Sequence, residues 1–216
     1  MEKLDIILQK LNNIIPGRLF GLFSITVGIL GDIIAFIMYP GYNLTRMAVS
    51  ALCEGPGGIF FNIGNIFSGL FALIFVNSLG RTFNERQISE KLKKSGIICA
   101  NISCICFILL GVFCGPNLII AYIHGTSAIT SWGFGFFYIT IFNVLILKDS
   151  NYSRNLAFFG YFVSLALGLL MIFFFLHLIP ILRFLMIILP TLEWINTISV
   201  ILWYFFVSSY MIYKKY

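Results

Sequence analysis

Six long apolar stretches, separated by short connections, constrain this chain more than any other feature of its sequence. An α-helix rises 1.5 Å per residue, so about 20 apolar residues are needed to cross the hydrocarbon core of a bilayer. The connections are too short to form a separate soluble domain. The sequence therefore predicts an all-α fold, an integral membrane bundle of six transmembrane helices in a single domain over residues 1–216. The predicted spans are residues 19–39, 59–79, 96–114, 120–147, 156–178 and 192–213.

The composition supports the same class of protein. Hydrophobic residues make up 60% of the chain and charged residues only 10%, which leaves too little polar surface for a water-soluble domain. The net charge of +6 would be compatible with nucleic-acid binding in a soluble protein. In a membrane protein the placement of basic residues matters more than their sum, so we predict membrane lipid as a partner and no nucleic acid.

Two segments outside the spans have their own patterns. Residues 1–18 mix charges with apolar residues at helical spacing, which predicts a short amphipathic helix at the membrane surface. Residues 180–190 are apolar but too short to cross, and a proline stands at each end, which predicts an interfacial or re-entrant segment before the last span. An alternative register starts the last span near Leu182 and places Glu193 deep in the membrane.

The basic residues predict an orientation. With six spans, all but two of the 14 lysines and arginines fall on the side of the two termini and the even-numbered loops. Only Arg46 and Arg183 fall on the opposite side. The positive-inside rule therefore predicts a multi-pass protein of the cell membrane with cytoplasmic N- and C-termini.

The first span carries small residues at intervals of three and four, among them Gly28, Gly31 and Ala35. Such a face lets a second helix approach closely, either within the chain or in a homo- or hetero-oligomer. Asp32 lies beside this face. An ionised carboxylate facing lipid is costly, so Asp32 is expected to face the bundle interior with Arg46, Asn62 or His124 as its partner.

The unusual polar residues gather near the predicted outer end, where two interpretations are open. One is structural, because asparagines and charges often tie helices together. The other is a polar pocket that opens outward, in which Arg46 and Arg183 bind an anionic group such as a lipid phosphate. The candidate residues of this pocket are Asp32, Arg46, Glu54, Asn62, Asn65, His124, Arg183 and Glu193.

Catalytic and cysteine chemistry are less defined. His124 and Ser127 have the spacing of a base and a nucleophile on one helical face, but no third group orients them, and a structural histidine is the simpler interpretation. The spacing of the five cysteines indicates neither a metal site nor a cofactor. Cys53 and Cys114 both lie at the outer end, and the sequence leaves open whether they form a disulfide.

A resemblance rests on three motifs: Ser50-Ala51-Leu52-Cys53, the turn over residues 54–58, and Phe61-Asn62-Ile63-Gly64. His124, followed by small residues, adds a fourth. The chain resembles a six-span family of unknown function that is widespread in bacteria and archaea and looks related to the Frag/DRAM/Sfk proteins of eukaryotes. Many members have Ser-Asp-Leu-Gly at the first motif, so this chain lacks their loop carboxylate. The resemblance implies lipid handling.

Two classes of function follow from these patterns. The first is a membrane protein that binds or remodels lipid through the outer pocket, with its status as an enzyme undecided. The alternative is a component of a small-solute transporter or channel, or an accessory membrane subunit. The chain shows no inverted repeat of the kind that is common in transporters.

Overall fold

The computed structural model describes residues 15–83, 89–115 and 117–216. In this part of the chain every regular element is helical, and six helices are long and apolar enough to span a membrane, which confirms the predicted fold class. The predicted amphipathic helix lies almost entirely outside the described residues. The six long helices are α1 (Leu19–Ile37), α2 (Gly58–Thr82), α3 (Glu90–Val112), α4 (Leu118–Lys148), α5 (Arg154–His177) and α6 (Leu189–Lys214).

Two short 3-10 helices lie in the connections, at Val49–Glu54 and at Pro180–Ile187. The second is the segment predicted to be interfacial or re-entrant. α6 begins at Leu189 rather than at the predicted residue 192, with Pro190 in its first turn. Proline is tolerated there because the first N–H groups of a helix have no intrahelical partner. Pro190 therefore starts the last span instead of separating it from the preceding segment.

α4 is one unbroken helix of 31 residues. It starts at Leu118, two residues before the predicted start of this span at residue 120. The Asn117 side chain caps it by accepting a hydrogen bond of 2.9 Å from the backbone N–H of Ile119. His124 consequently lies on a helical face and not in a loop.

The helices form a closed ring. Each of them packs against the next one in the chain, and α6 packs against α1. The contact between α1 and α2 uses the small-residue face that the sequence indicated. A Cβ atom built on Gly31 would lie 3.0 Å from the Cα of Gly64, so the two backbones touch.

The two ends of the ring differ. We call the end with the C-terminus and the α4–α5 connection the basic end. There the Tyr210 and Tyr216 hydroxyls donate to the backbone carbonyl of Asn151, and the Arg18 side chain donates to the carbonyl of Tyr216. The half of the bundle next to this end is filled by a packed core that includes Phe75, Leu79, Phe142, Ile146, Trp203, Val207 and Met211, all with 0% exposure.

The opposite end is closed by a disulfide, and we call it the disulfide end. Cys53, in the first 3-10 helix, is bonded to Cys114, which follows α3, and their Cα atoms are 6.2 Å apart. This separation is normal for a disulfide. The bond ties the α1–α2 connection to the α3–α4 connection.

Candidate functional site

A cavity of about 690 Å³ lies on the axis of the ring, and all six helices contribute to its wall. Most of the wall is apolar. Among the residues that line it, only Arg46 and Met186 are exposed, and both belong to connections at the disulfide end. The cavity therefore opens toward that end.

The cavity reaches to about the middle of the bundle. On α6 its lining runs from Leu189, the first residue of the helix, to Tyr204, which corresponds to a depth of roughly 20 Å at 1.5 Å per residue. At the floor the hydroxyls of Tyr138 and Tyr204 are 3.2 Å apart, and the Cys104 sulfur lies 4.0 Å from the Tyr204 hydroxyl. Below this cluster the packed core fills the basic half of the bundle.

The deep serines of the wall are bonded within the protein. The Ser24 hydroxyl donates to the Ser68 carbonyl at 2.9 Å. The Ser103 and Ser131 hydroxyls each donate to the other residue's carbonyl, at 2.8 and 3.1 Å. These contacts join α1 to α2 and α3 to α4, and they need no ligand to complete them.

The polar groups near the mouth are different, because several acceptors there lack a full set of partners. Asp32, on α1, forms no hydrogen bond or ion pair with any of the described residues, so the predicted pairing with Arg46, Asn62 or His124 is not formed. Glu193, on α6, accepts a long hydrogen bond of 3.4 Å from the backbone N–H of Ser50, whose side chain also interacts with the carboxylate. Asn196, one helical turn further, is only 6% exposed, and its Oδ1 has no hydrogen-bond partner.

Both histidines of the chain line the cavity. The Nδ1 of His124 lies 2.9 Å from the backbone carbonyl of Phe113, and the Nδ1 of His177 contacts the carbonyl of Phe174. A carbonyl oxygen can only accept, so Nδ1 carries the hydrogen in each ring. In the neutral imidazole this leaves Nε2 as an acceptor.

Tyr42 fixes the connection that forms one side of the mouth. Its hydroxyl donates to the carbonyl of Ala48 at 2.6 Å and accepts from the Trp194 indole N–H at 3.2 Å. Burial raises the pKa of Tyr42 to about 12, and the nearby carboxylates of Glu193 and Asp32 act in the same direction. The hydroxyl therefore stays protonated at neutral pH and keeps the α1–α2 connection attached to α6.

The structure brings together five of the eight residues predicted for the pocket. Asp32, Arg46, Asn65, His124 and Glu193 line the cavity.

The other three predicted residues are not among those that line it. Glu54 and Arg183 are exposed in the two 3-10 helices. Asn62 has a buried Oδ1 without a hydrogen-bond partner, and its backbone carbonyl lies beside Gly111 of α3.

The cavity also has lining residues that the sequence did not identify as part of the pocket. Asn196 follows Glu193 by three residues on a helix, so its presence on the same face could have been found from the spacing. His177 lies at the end of α5, and only the ring closure places it beside the cavity. Tyr204 of the floor gave no signal in the sequence, because it is one of four consecutive aromatic residues, Trp203 to Phe206, in an apolar span.

His124 and Ser127 do not form the pair of base and nucleophile that their spacing allows. Ser127 does not line the cavity, and His124 is bonded to a backbone carbonyl instead of a serine. Within residues 15–83, 89–115 and 117–216, no three His, Cys, Asp or Glu side chains are grouped so that they could hold a metal ion.

Comparison with known proteins gives one result. No curated protein and no solved structure matches the chain. A family described as "Protein of unknown function (DUF998)" matches residues 23–210, which is most of the chain and includes the greater part of α1, all of α2 to α5 and most of α6. The chain therefore belongs to the DUF998 family of proteins of unknown function.

Proposed function

We propose that this protein binds an amphipathic lipid or lipid-like molecule in the central cavity. The apolar wall would hold the tail, and the polar mouth would hold the head group. The observation that carries the proposal is a cavity of about 690 Å³ with mostly apolar walls and with incompletely bonded polar groups gathered near its open end. This volume is within the range of pockets that hold small organic ligands, roughly 300 to 1,000 Å³.

The packed core of the basic half argues against the alternative of a transport path. Phe75, Phe142 and Trp203 are completely buried below the tyrosine floor. An open channel needs polar groups or water along its path, whereas buried polar side chains described in this half, such as Asn143 and Ser208, are bonded within the protein. The small-residue face of the first span, which an accessory subunit could use to dock, is occupied by α2 at Gly31.

We further propose that the protein lies in the cell membrane with the disulfide end outside and both termini in the cytoplasm. The distribution of lysine and arginine supports this orientation. The Cys53–Cys114 bond is an independent argument, because disulfides persist in oxidising compartments and are rare in the cytosol. The mouth of the cavity would then face the outer leaflet.

Whether bound lipid is also remodelled is an expectation that comes from the resemblance to the Frag/DRAM/Sfk proteins. The cavity holds side chains that could move protons, such as His124 and Glu193. Their separate hydrogen bonds do not form a catalytic arrangement, so the proposal is limited to binding.

Lipid mass spectrometry on protein purified in mild detergent tests the proposal. We expect a lipid or another amphiphile to be retained by the wild type and lost in the variant Ala128→Trp, because Ala128 lines the cavity and an indole ring would occupy it. Ala121→Trp is the matched control, since Ala121 lies on the same helix but is exposed and does not line the cavity.

The result is decisive only if both variants fold, which is checked by their yield and elution as monodisperse protein. Equal retention of the amphiphile by Ala128→Trp and Ala121→Trp would contradict binding in the cavity. Absence of any retained amphiphile from the wild type would contradict it as well.

A further inference from the structure

The geometry points to a ligand whose head group carries a positively charged amine, held at the mouth of the cavity by Asp32, Glu193 and Asn196. This inference rests on the proposed function, and it specifies which class of amphiphile the cavity takes. It differs from the expectation that the sequence suggested, in which two arginines bind an anionic group.

The first argument is the hydrogen-bonding character of the mouth. The Asn196 side chain is 94% buried, since its exposure is 6%, and its Oδ1 is an acceptor without a partner. A buried acceptor of this kind costs free energy unless a donor reaches it. Asp32 and Glu193 add carboxylate oxygens. Asp32 has no hydrogen-bond partner among the described residues, and Ser50 is the one described residue that donates to Glu193.

The second argument is that these groups lie on one face of the cavity. Glu193 and Asn196 are three residues apart on α6 and therefore on the same side of that helix. Asp32 lies on α1, the helix that packs beside α6 in the ring. Tyr42 links the two helices at this level: its hydroxyl accepts from the indole N–H of Trp194, the neighbour of Glu193, and its ring packs against Phe36, one helical turn beyond Asp32.

The third argument is that neither the histidines nor the deep serines of the wall offer a free donor to a ligand. Both histidines use Nδ1 to donate to backbone carbonyls, so each neutral ring presents an acceptor. The deep serines donate to carbonyls of the protein. An ammonium group supplies three N–H donors and a positive charge, and it matches such a set of acceptors.

The arginines do not favour an anion at this position. Arg183 is exposed and does not line the cavity. Arg46 lines the mouth but is itself exposed, and in the described part of the chain it forms no ion pair with Asp32 or Glu193.

The amine could belong to a single-chain amphiphile or to a membrane lipid with an aminoethyl head group. Binding is therefore measured in nanodiscs by native mass spectrometry with three probes that share one tail: dodecylamine, dodecyl phosphate and dodecanol. Competition by phosphatidylethanolamine, compared with phosphatidylglycerol, distinguishes the membrane lipid from the single-chain amine. Both of these sources support the inference.

We expect dodecylamine to bind at least about tenfold more tightly than dodecyl phosphate or dodecanol, the effect of a charge-assisted hydrogen bond. Asp32→Asn and Glu193→Gln should each lower the affinity for dodecylamine by about tenfold. The yield of each variant and its elution as monodisperse protein show that it is folded. Glu54→Gln is the control, since Glu54 is an exposed carboxylate that does not line the cavity.

Equal binding of all three probes would overturn the amine assignment while the proposed amphiphile binding stands. Preference for dodecyl phosphate would overturn it in favour of an anionic ligand. Binding of none of the probes would overturn both proposals. Loss of dodecylamine binding in Glu54→Gln to the same extent as in Asp32→Asn would show a general charge effect and contradict the assigned site.

Discussion

At Gly31 the backbones of α1 and α2 are in direct contact. A Cβ atom at this position would lie 2.7 Å from the carbonyl oxygen of Phe60 and 3.0 Å from the Cα of Gly64. Backbone atoms in a helix cannot move aside one at a time, so even a methyl group would push the two helices apart. The absence of a side chain at Gly31 therefore sets the distance between α1 and α2, and with it the position of Asp32 in the cavity wall.

The substitution Gly31→Ala is predicted to destabilise the protein by about 1 to 3 kcal/mol, as is typical of overpacking. Thermal unfolding of the detergent-solubilised protein measures this effect. Gly125→Ala is the matched control on α4, because no atom lies within 4 Å of a Cβ built there. Alanine also favours a helix over glycine by about 1 kcal/mol, so the control should be neutral or stabilising. A similar loss of stability in both variants would contradict the packing argument.

Individual residues also show how far the sequence could define the site. Asp32 could be assigned to the interior because a carboxylate in a span needs a polar environment. Asn62 and Asn65 could not be distinguished in this way, because they are only three residues apart at the start of the same helix. Asn65 lines the cavity and Asn62 does not, although both lie against Gly111 of α3. Which face of α2 meets α3 is a property of the folded ring and is absent from the local sequence.

At the scale of the elements, the first 3-10 helix and its disulfide organise the mouth of the cavity. The segment Val49–Glu54 is short, and an isolated 3-10 helix has little stability of its own. Cys53 joins it to Cys114, and Glu193 of α6 accepts from the N–H of Ser50. These two links hold the connection that carries Arg46 to the end of α3 and to α6.

The disulfide is predicted to stabilise the protein by about 2 to 4 kcal/mol. Cys53→Ser should lower the thermal stability, and the double variant Cys53→Ser/Cys114→Ser should be no less stable than the single one, because the same bond is lost in both. Cys106→Ser is the control, since Cys106 is a free cysteine in α3. Peptide mapping without reductant should find the two cysteines cross-linked. Alkylation of both without prior reduction would contradict the bond.

Proline shows a second limit of prediction at this scale. The sequence indicates that the segment before the last span is too short to cross, and the structure has a 3-10 helix at Pro180–Ile187. The predicted start of α6 lies three residues after the observed one, because Pro190 can either end a segment or begin a helix. The choice depends on whether a backbone N–H is needed at this position to donate a hydrogen bond. In the first turn of a helix the N–H groups have no intrahelical acceptor, so proline is tolerated there.

At the scale of the whole molecule, the number of helices was predictable and their arrangement was not. Length and composition identify six spans, because lipid requires long apolar helices. Each helix faces lipid on one side and apolar neighbours on the other, so the sequence pattern alone does not tell the two faces apart. The closure of α6 onto α1 encloses the cavity, and only the tertiary structure contains that contact.

The orientation of the ring in the membrane is the last prediction. Asn43 lies exposed at the disulfide end, and Lys91 lies exposed at the basic end, at the start of α3. We introduce Asn43→Cys or Lys91→Cys into a variant whose free cysteines Cys99, Cys104 and Cys106 are replaced by alanine. The positive-inside rule and the disulfide both place the disulfide end outside. A membrane-impermeant maleimide should therefore label the cysteine at position 43 in intact cells.

Position 91 is the control for access, because its cysteine should react only after the cells are permeabilised. The parent variant without an introduced cysteine gives the background from Cys53 and Cys114, which the disulfide keeps from reacting. Labelling of position 91 but not of position 43 in intact cells would reverse the orientation. The mouth of the cavity would then face the cytoplasm, and the ligand would enter from the inner leaflet. In the orientation that we propose, the ligand enters from the outer leaflet.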